Sequence, residues 1–277
     1  MTLSVILTTY NSPAWLEKVL WGYHCQSLKD FEVIVADDGS TEDTATLLAT
    51  MQRHLSFPVR HVWHEDRGFR KCEILNKAIG VSDTGYLVFS DGDCIPRADF
   101  LEVHARKRKK GAFLSGGYFK LPMNLSRAIT RENILSQDCF DIGWLKKKGL
   151  PGSFKNSKLT AGNMARVLNR LTPTNASWNG HNSSGWKTDL LSVNGFDERM
   201  RYGALDRELG ERLVNSGIRG MQIRYSAICL HLDHTRGYVN TKDLEANAAI
   251  RKNTRQTKSQ WTPFGIAKEK AAAGQDA

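Results

Sequence analysis

The stretch "VFSDGDCIP", residues 88–96, joins an apolar run to Asp91 and Asp93, two aspartates separated by one glycine. The apolar part has the length and composition of a buried strand. Asp-Gly is also good turn chemistry, so an isolated pair of this kind is typical of a turn. Whether the pair forms a turn or a site depends on where the strand ends in the fold, and the flanking sequence bears on that.

Strand-like and helix-like patterns alternate over the first 110 residues. Strands are expected in "LSVILTTY", "FEVIVAD", "VRHVWH" and "GYLVFSD", and a helical pattern follows each of them. Pro13 stands where the first residue of the first helix would be, and Glu42 and Asp43 fall in the first turn of the second, where the helix dipole favours acids. Alternation at this spacing predicts an α/β fold with a doubly wound, mainly parallel sheet.

Three of these strands end in polar clusters, and in a doubly wound sheet ligands bind beyond the carboxyl ends of the strands. Two close carboxylates repel each other unless a cation joins them. Oxygen ligands at this spacing suit Mg²⁺ or Mn²⁺, ions that usually bridge substrate phosphates. The position therefore favours a metal-diphosphate site over a simple turn. The clusters are Thr8-Thr9-Tyr10-Asn11, Asp37-Asp38-Gly39-Ser40 and Asp91-Gly92-Asp93.

Composition narrows the class of protein without naming a partner. The 277 residues carry a formal net charge of +10, which indicates nucleic acid, an acidic membrane surface or a phosphorylated small molecule as the partner. Neither G-x-G-x-x-G nor G-x-x-x-x-G-K-[ST] occurs, which argues against dinucleotide binding and a P-loop NTPase. Five cysteines with no C-x-x-C pair disfavour disulfides and a zinc knuckle. With no secretory signal pattern and no long apolar run, we expect a cytoplasmic protein.

After residue 111 the alternation breaks down. Residues 111–122 predict a strand pair or an edge strand, and residues 123–180 are irregular and basic, with "LKKKGLPGSFKNSK" as the expected mobile loop. "DRELGERLVNSG" is an amphipathic helix whose apolar side carries Leu209, Leu213 and Val214. "RGMQIRYSAICLHLDH" predicts one strand. Residues 241–277 form a basic C-terminal tail whose last residues, "EKAAAGQDA", are expected to fray.

His231 and His234 form an H-x-x-H pattern with Asp233 between them. A lone histidine near a strand end is usually structural, and H-x-x-H by itself is a weak signal. In a chain that already has a candidate metal site, the pair becomes a candidate source of one further ligand.

In combination, these residues resemble family 2 glycosyltransferases with the GT-A fold. The N-terminal resemblance rests on "SVILTTYN", "IVADDGST", "HEDRGFRKCEILNKAI" and "YLVFSDGDCIP". The C-terminal half resembles the galactosyltransferase-type segment of chondroitin-polymerase-like bacterial enzymes, through "GHNSSGWKTDLLSVNGFDERM", "YGALDRELGERLVNSG" and "LHLDH". The resemblance implies one GT-A domain, with residues 1–110 as its nucleotide-sugar half and residues 111–240 as its acceptor-binding and catalytic half.

The resemblance also implies roles for individual residues. Asp93 and His231 would hold Mn²⁺ or Mg²⁺, with His234 as the alternative to His231, and Asp91 would touch either the metal or the ribose. Asp38 would hydrogen-bond the uracil edge. The full set of implied nucleotide contacts is Thr8, Tyr10, Asn11, Asp38, Arg70 and Asp91.

Asp206 falls where the family places its catalytic base, in a motif that usually reads G-x-G-G-E-D-x-E-L. This chain has "YGALDREL" instead, so Ala204 replaces a glycine and Leu205 replaces the first acid. That acid usually helps to bind the acceptor sugar, so the family's acceptor preference does not carry over. Glu208 and Glu211 are nearby alternatives for the base.

The expected function is an inverting, metal-dependent glycosyltransferase that moves a sugar from a UDP-sugar to a glycan or lipid-linked acceptor in surface polysaccharide or lipopolysaccharide synthesis. The alternatives are a nucleotidyltransferase acting on a sugar phosphate and a nucleic-acid-binding protein; the acidic strand ends argue against the second. The basic run Lys107–Lys110 or the basic tail would allow peripheral contact with an anionic membrane on its inner face.

Overall fold

The first half of the chain forms four parallel strands that alternate with helices. The computed structural model describes residues 1–235 and 240–268. Each strand pairs in parallel with its neighbour in the sheet, and apart from β3 they are buried almost throughout, as expected where both faces of a sheet are covered. The strands are β1 (Leu3–Thr9), β2 (Phe31–Asp37), β3 (Val59–Trp63) and β4 (Tyr86–Asp91).

The helices between these strands begin where the sequence predicts. Pro13 is the first residue of the first helix, and Glu42 and Asp43 lie in the first turn of the second. A short strand, β5 (Cys94–Pro96), follows the Asp91–Asp93 turn. The helices are α1 (Pro13–His24), α2 (Glu42–Met51), α3 (Lys71–Val81) and α4 (Phe100–Lys107).

Three strands from the second half extend the same sheet, giving the order β3-β2-β1-β4-β8-β6-β9. They are β6 (Ala112–Ser115), β8 (Ser183–Trp186) and β9 (Arg219–Gln222). Only β8 runs antiparallel to its neighbours, so the predicted mainly parallel α/β sheet is confirmed. The strand pair or edge strand predicted for residues 111–122 is confirmed in part. The segment contains two strands: β6 lies inside this sheet, because β8 and β9 pair with its two sides, and β7 (Phe119–Lys120) is an edge strand of a second sheet.

A second, three-stranded sheet has the order β5-β10-β7, with β7 (Phe119–Lys120) and β10 (Cys229–His231). The predicted single strand in "RGMQIRYSAICLHLDH" is therefore wrong, since its two ends, β9 and β10, belong to different sheets. The antiparallel register of β10 and β5 places His231 opposite Cys94. This small sheet is what brings the C-terminal histidines to the "SDGD" turn.

Residues 123–180, predicted to be irregular, contain a series of short helices. Some begin at caps that the sequence carries: Thr130 forms a capping box with Asn133, and Asp141 accepts from the Trp144 backbone N–H. Their apolar side chains complete the core beside α1. The α-helices are α5 (Met123–Ala128), α6 (Arg131–Leu135), α7 (Ile142–Lys147), α8 (Ser157–Thr160) and α9 (Ala165–Leu171).

The last helices are α10 (Lys187–Ser192), α11 (Leu205–Asn215) and α12 (Thr241–Gln256). In α11, Leu209 and Leu213 are buried as predicted, whereas Val214 is 54% exposed and was wrongly placed on the apolar side. Residues 241–256 of the predicted basic tail are helical and pack on α11. The stretch "EKAAAGQDA" lies outside the described residues. Within the described part of the chain, no helix is long and apolar enough to cross a membrane.

Candidate active site

The carboxyl ends of β1 and β4 are joined side chain to side chain. Thr8 lies opposite Asp91 in the parallel register, and its hydroxyl donates to Asp91 Oδ1 over 2.7 Å. The next residue, Gly92, donates its N–H to Thr8 O at 2.7 Å, and a Cβ there would approach that oxygen to 2.8 Å. Only glycine fits this turn, so the "SDGD" sequence holds Asp91 and Asp93 at the sheet edge.

Asp38, at the end of β2, is 7% exposed and is held by protein groups on both oxygens. His64 Nε2 lies 2.8 Å from Oδ1, and the Arg70 N–H donates to Oδ2 over 3.0 Å. Burial raises the pKa of Asp38, and the His64 and Arg70 contacts oppose that rise. His64 was missed by sequence reasoning, although "WHED" directly after β3 was a usable signal.

Three of the predicted nucleotide contacts lie on the rim of this edge. Tyr10 is 48% exposed, and its hydroxyl donates to Asp66 over 3.0 Å. Asn11 has a φ of 45° and accepts from the Thr41 N–H, which marks it as a residue that shapes the loop. The Arg70 guanidinium contacts Glu73 at 2.9 Å.

A candidate metal centre lies where β5 and β10 meet. Ligand atoms of Asp93, Cys94 and His231 fall within 4.8 Å of one another. His231 Nε2 is 3.7 Å from Asp93 Oδ2, too far for a hydrogen bond, and its buried Nδ1 has no partner among the described residues. His234 Nε2 reaches the same oxygen at 3.0 Å. A carboxylate oxygen and an imidazole nitrogen with spare bonding capacity fit a divalent cation.

Two features of this centre were not predicted. Cys94 belongs to the cluster, through its place in β5 opposite His231. Asp91, predicted as a possible metal ligand, lies outside the cluster of three and instead receives Lys71 Nζ at 2.6 Å on the oxygen that also accepts from Thr8.

Lys71, at the start of α3, is the main cation of the sheet edge. Burial would lower the pKa of Lys71, but the charges of Asp91 and Asp206 outweigh it and the pKa is raised. Burial alone would raise the pKa of Asp91, but Lys71 holds that pKa well below its usual range. Asp91 is therefore a fixed anion that the protein itself neutralises. Sequence reasoning assigned Lys71 no role, because the adjacent Arg70 matched the expected motif position.

The helix α11 begins directly after Ala204, whose φ of 58° turns the chain into it, and Asp206 lies in its first turn. A Cβ on Gly180 would lie 3.1 Å from Asp206 Oδ1, and that oxygen is buried without a hydrogen-bond partner in the described part of the chain. Burial, reinforced by the charge of Asp91, raises the pKa of Asp206 to about 6 despite Lys71. A carboxylate with this pKa and an unused oxygen is well suited to accept a proton at neutral pH.

The two rival carboxylates of α11 are occupied elsewhere. Glu208 is buried in an ion pair with Arg212 at 2.8 Å and accepts from the Thr254 hydroxyl of α12. Glu211 pairs with Arg251 of α12. Both carboxylates hold α11 and α12 together.

Asp206 forms part of the wall of a large cavity of about 1240 Å³. His181, quoted in the "GHNSSGW" motif but given no role, lies in the same wall, and burial lowers its pKa to about 4, so its imidazole is neutral at pH 7. Of the described residues that line the cavity, none is among the six predicted nucleotide contacts. The other walls come from residues 115–122, 150–158, 174–179 and the α11–α12 region.

The comparison that decides the family covers the first half of the chain. Residues 4–150 match the family model "Glycosyl transferase family 2". The chain belongs to glycosyltransferase family 2. This confirms the predicted family and makes the protein a transferase enzyme.

Relatives of this family 2 glycosyltransferase are themselves glycosyltransferases. The uncharacterized glycosyltransferase YfnE of Bacillus subtilis is 24% identical over 90% of this chain and 69% of its own length. Validoxylamine A glucosyltransferase of Streptomyces hygroscopicus is 29% identical over 78% of this chain and 52% of its own, so the chain spans about half of that enzyme. Chondroitin synthase of Escherichia coli, the kind of enzyme that the motifs resemble, is 30% identical over 34% of this chain and 14% of its own length.

Solved structures confirm the predicted fold. Mannosyltransferase PcManGT from Pyrobaculum calidifontis, in complex with GDP-Man and Mn²⁺, has a TM-score of 0.58 at 20% identity and covers 93% of this chain and 62% of its own. TarS 1–349 of S. aureus, in complex with UDP, has a TM-score of 0.61 at 17% identity and covers 93% of this chain and 68% of its own.

Proposed function

We propose that this family 2 glycosyltransferase is inverting and metal-dependent, and that it transfers a sugar from a UDP-sugar to a glycan or lipid-linked acceptor in surface polysaccharide or lipopolysaccharide synthesis. One observation carries the proposal: Asp206 lies in the wall of a large cavity with one oxygen that has no partner among the described residues, and its pKa is raised to about 6. A base on one side of the sugar and a leaving diphosphate on the other require a single displacement, which inverts the anomeric carbon.

The donor would lie along the ends of β1, β2 and β4. Tyr10, which is 48% exposed, would lie against the nucleoside, while Thr8 and Asn11 would shape the loop beneath it. His64 and the Arg70 N–H already contact the two oxygens of Asp38. Asp38 would therefore accept a hydrogen bond from the uracil edge with its remaining lone pairs. The UDP complex of TarS supports UDP as the nucleotide, whereas the GDP-Man complex of PcManGT is the counterexample that makes a direct test necessary.

Asp93 and His231 would hold Mn²⁺ or Mg²⁺, with Cys94 and His234 beside them. When bound, the ion would act as a Lewis acid that stabilises the leaving diphosphate. The proposed role of Asp91 shifts toward orienting the ribose and Lys71, because Lys71 already neutralises it. Asp206 would accept the proton of the attacking acceptor hydroxyl.

The two parts of the chain would divide this work, with residues 1–110 binding the nucleotide sugar and residues 111–240 binding the acceptor and supplying the base. The shared sheet supports one domain, because β6, β8 and β9 continue the strand order of the first half.

The test is a calorimetric titration of UDP with and without Mn²⁺, followed by a screen for UDP-sugar hydrolysis. Metal-dependent UDP binding with hydrolysis of one UDP-sugar supports the proposal. A nucleotidyltransferase would release pyrophosphate from a nucleoside triphosphate and a sugar phosphate, and a nucleic-acid-binding protein would bind oligonucleotides without any dependence on UDP.

Peripheral contact with the inner, anionic face of a membrane forms part of the proposal. Lys107 ends α4, and the rest of the run, residues 108–110, follows it. Burial together with the neighbouring Arg106 and Arg166 lowers the pKa of Lys107, which indicates a concentration of positive charge. Each basic residue near such a surface contributes about 1 kcal/mol. Flotation with anionic liposomes at low salt, lost in moderate salt, is the expected result; no flotation at any salt would refute it.

A further inference from the structure

The charged side chains that line the cavity containing Asp206 are mainly cations. Among its described lining residues, six are basic and two are acidic. Two of the six are already in ion pairs, Lys120 with Asp233 and Arg251 with Glu211. The remaining four are Lys155, Lys158, Arg207 and Arg224.

Lys158 and Arg224 converge on one point of the wall. A Cβ on Gly117 would lie 3.7 Å from Arg224 Nε and 3.9 Å from Lys158 Nζ, so both groups lie close to the same glycine. Lys158 Nζ donates to Tyr118 O at 2.8 Å, and Arg224 Nη1 donates to Thr174 Oγ1 at 2.6 Å. These neutral acceptors orient the two side chains without neutralising them.

Neither cation pairs with a carboxylate in the described part of the chain. Arg224 Nε is buried and has no hydrogen-bond partner there, which is costly unless a ligand supplies one. Burial lowers the pKa of Lys158, and the charge of Arg224 lowers it further. Two half-buried cations that repel each other, one with an unused donor, form a site for an anionic group.

The position of the pair assigns that anion to the acceptor. The Tyr118 ring links the pair to the candidate metal centre, since its centroid lies 4.9 Å from the His231 ring and 5.9 Å from Lys158 Nζ. The acceptor hydroxyl must reach Asp206, which lines the same cavity, whereas the predicted nucleotide contacts lie outside it. An acceptor seated against Asp206 would extend past Tyr118 toward Gly117.

We propose that Lys158 and Arg224 bind a negatively charged group of the acceptor, a phosphate or a carboxylate a short distance from the hydroxyl that receives the sugar. This rests on the proposed glycosyltransfer at Asp206 and adds the chemical class of its acceptor. A neutral glycan could offer Arg224 Nε a hydroxyl acceptor but no counter-charge for the two cations, so the site would favour an anionic acceptor.

The test is calorimetry of the full-length protein, saturated with UDP and Mn²⁺, against three oligomers of equal length: oligogalacturonate, a glycerol phosphate oligomer and a neutral malto-oligosaccharide. At least one anionic oligomer should bind at least roughly tenfold more tightly than the neutral one, the scale of one charge-assisted hydrogen bond. Whichever anionic oligomer binds more tightly identifies the group as carboxylate or phosphate.

A matched pair of double variants separates this site from general charge. Lys158→Met with Arg224→Met should remove the preference for the anion, while Lys29→Met with Arg219→Met, the same charge change at exposed positions outside the cavity, should keep it. Equal binding of all three oligomers by the unchanged protein, which needs no variant to fold, overturns the inference. So does equal loss in both double variants.

Competition with UDP distinguishes an acceptor site from a site for the donor diphosphate. If UDP with Mn²⁺ displaces the anionic oligomer from protein that was loaded with the oligomer in the absence of UDP, the two cations hold the donor diphosphate and the acceptor assignment is wrong. If UDP-sugar hydrolysis persists but no anion preference is seen, only this inference fails. If neither UDP binding nor hydrolysis of any UDP-sugar occurs, the proposed function fails with it.

Discussion

The two sides of the site balance their charges in opposite ways. On the proposed donor side, Asp38 contacts His64 and the Arg70 backbone, and Asp91 contacts Lys71 and Thr8. On the proposed acceptor side, Lys158 and Arg224 have no carboxylate partner among the described residues. The donor side is thus organised before any ligand arrives, whereas the acceptor side is left with positive charge that a ligand would complete.

Asp206 stands between these two sides, and its replacement is the most severe test of the comparison. Asp206→Asn keeps the shape but cannot accept a proton, so kcat for UDP-sugar hydrolysis should fall by roughly 10²- to 10⁴-fold. UDP–Mn²⁺ affinity should stay near that of the unchanged protein, because the proposed diphosphate contacts lie elsewhere.

The better control for that experiment is Glu211→Gln and not Glu208→Gln. Glu211 forms a partly exposed pair with Arg251, whereas removing the charge of Glu208 would leave Arg212 buried and uncompensated and would destabilise the helix pair. Near-normal turnover in Asp206→Asn together with an inactive Glu211→Gln would move the base to Glu211.

Asp93→Ala tests the metal centre on the donor side. UDP binding in the presence of Mn²⁺ should weaken by at least roughly tenfold. Loss of a group that only supports a metal ligand already costs roughly 10- to 100-fold in metal affinity, and loss of the ligand carboxylate itself removes more. Asp99→Ala is the control, because Asp99 precedes α4 and pairs with Arg97. Equal losses in calorimetry would contradict the metal assignment.

Sequence patterns singled out Asp91 and Asp206 but neither Lys158 nor Arg224, for a physical reason. Asp91 and Asp206 are set by local structure, a strand end and the first turn of a helix, which periodicity and motif spacing can locate. Lys158 and Arg224 are 66 residues apart and meet only because irregular segments pack around Gly117. Cys94 is similar, since only the register of β10 on β5 brings it to His231.

Lys71 couples the two sides, and its removal should shift the pH profile. Proton acceptance needs the ionised form of Asp206, so kcat/KM should fall below a pH near the Asp206 pKa of about 6 and level off above it. Lys71 lowers the pKa of Asp206, so Lys71→Met should move this limb to higher pH. Lys77→Met, which removes an exposed pair with Glu73 on the same helix, should leave it in place. An unshifted limb in Lys71→Met would separate Lys71 from the base.

The smallest expected effect is that of Asp206→Asn on stability, which should increase although the activity falls. Burial raises the pKa of Asp206 from 3.8 to about 6, so folding favours the protonated carboxyl and the ionised form destabilises the protein above that pH. The shift sets an upper limit of about 3 kcal/mol, and partial exposure should reduce the effect to about 1 kcal/mol. Asp206→Asn removes that charge, so it should be more stable at pH 7.5 by about 2–4 °C in melting temperature.

That gain should shrink as the pH falls from 6 toward 4, because the unchanged protein then protonates Asp206 in its folded state. Below about 4 both states carry the proton and the two proteins should melt alike. Melting curves of Asp206→Asn and Glu211→Gln between pH 4.5 and 7.5 measure this directly. A gain that does not depend on pH would mean that the Asp206 carboxylate is well solvated, and the proposed base would then lack the raised pKa that suits it to its place between the two sides.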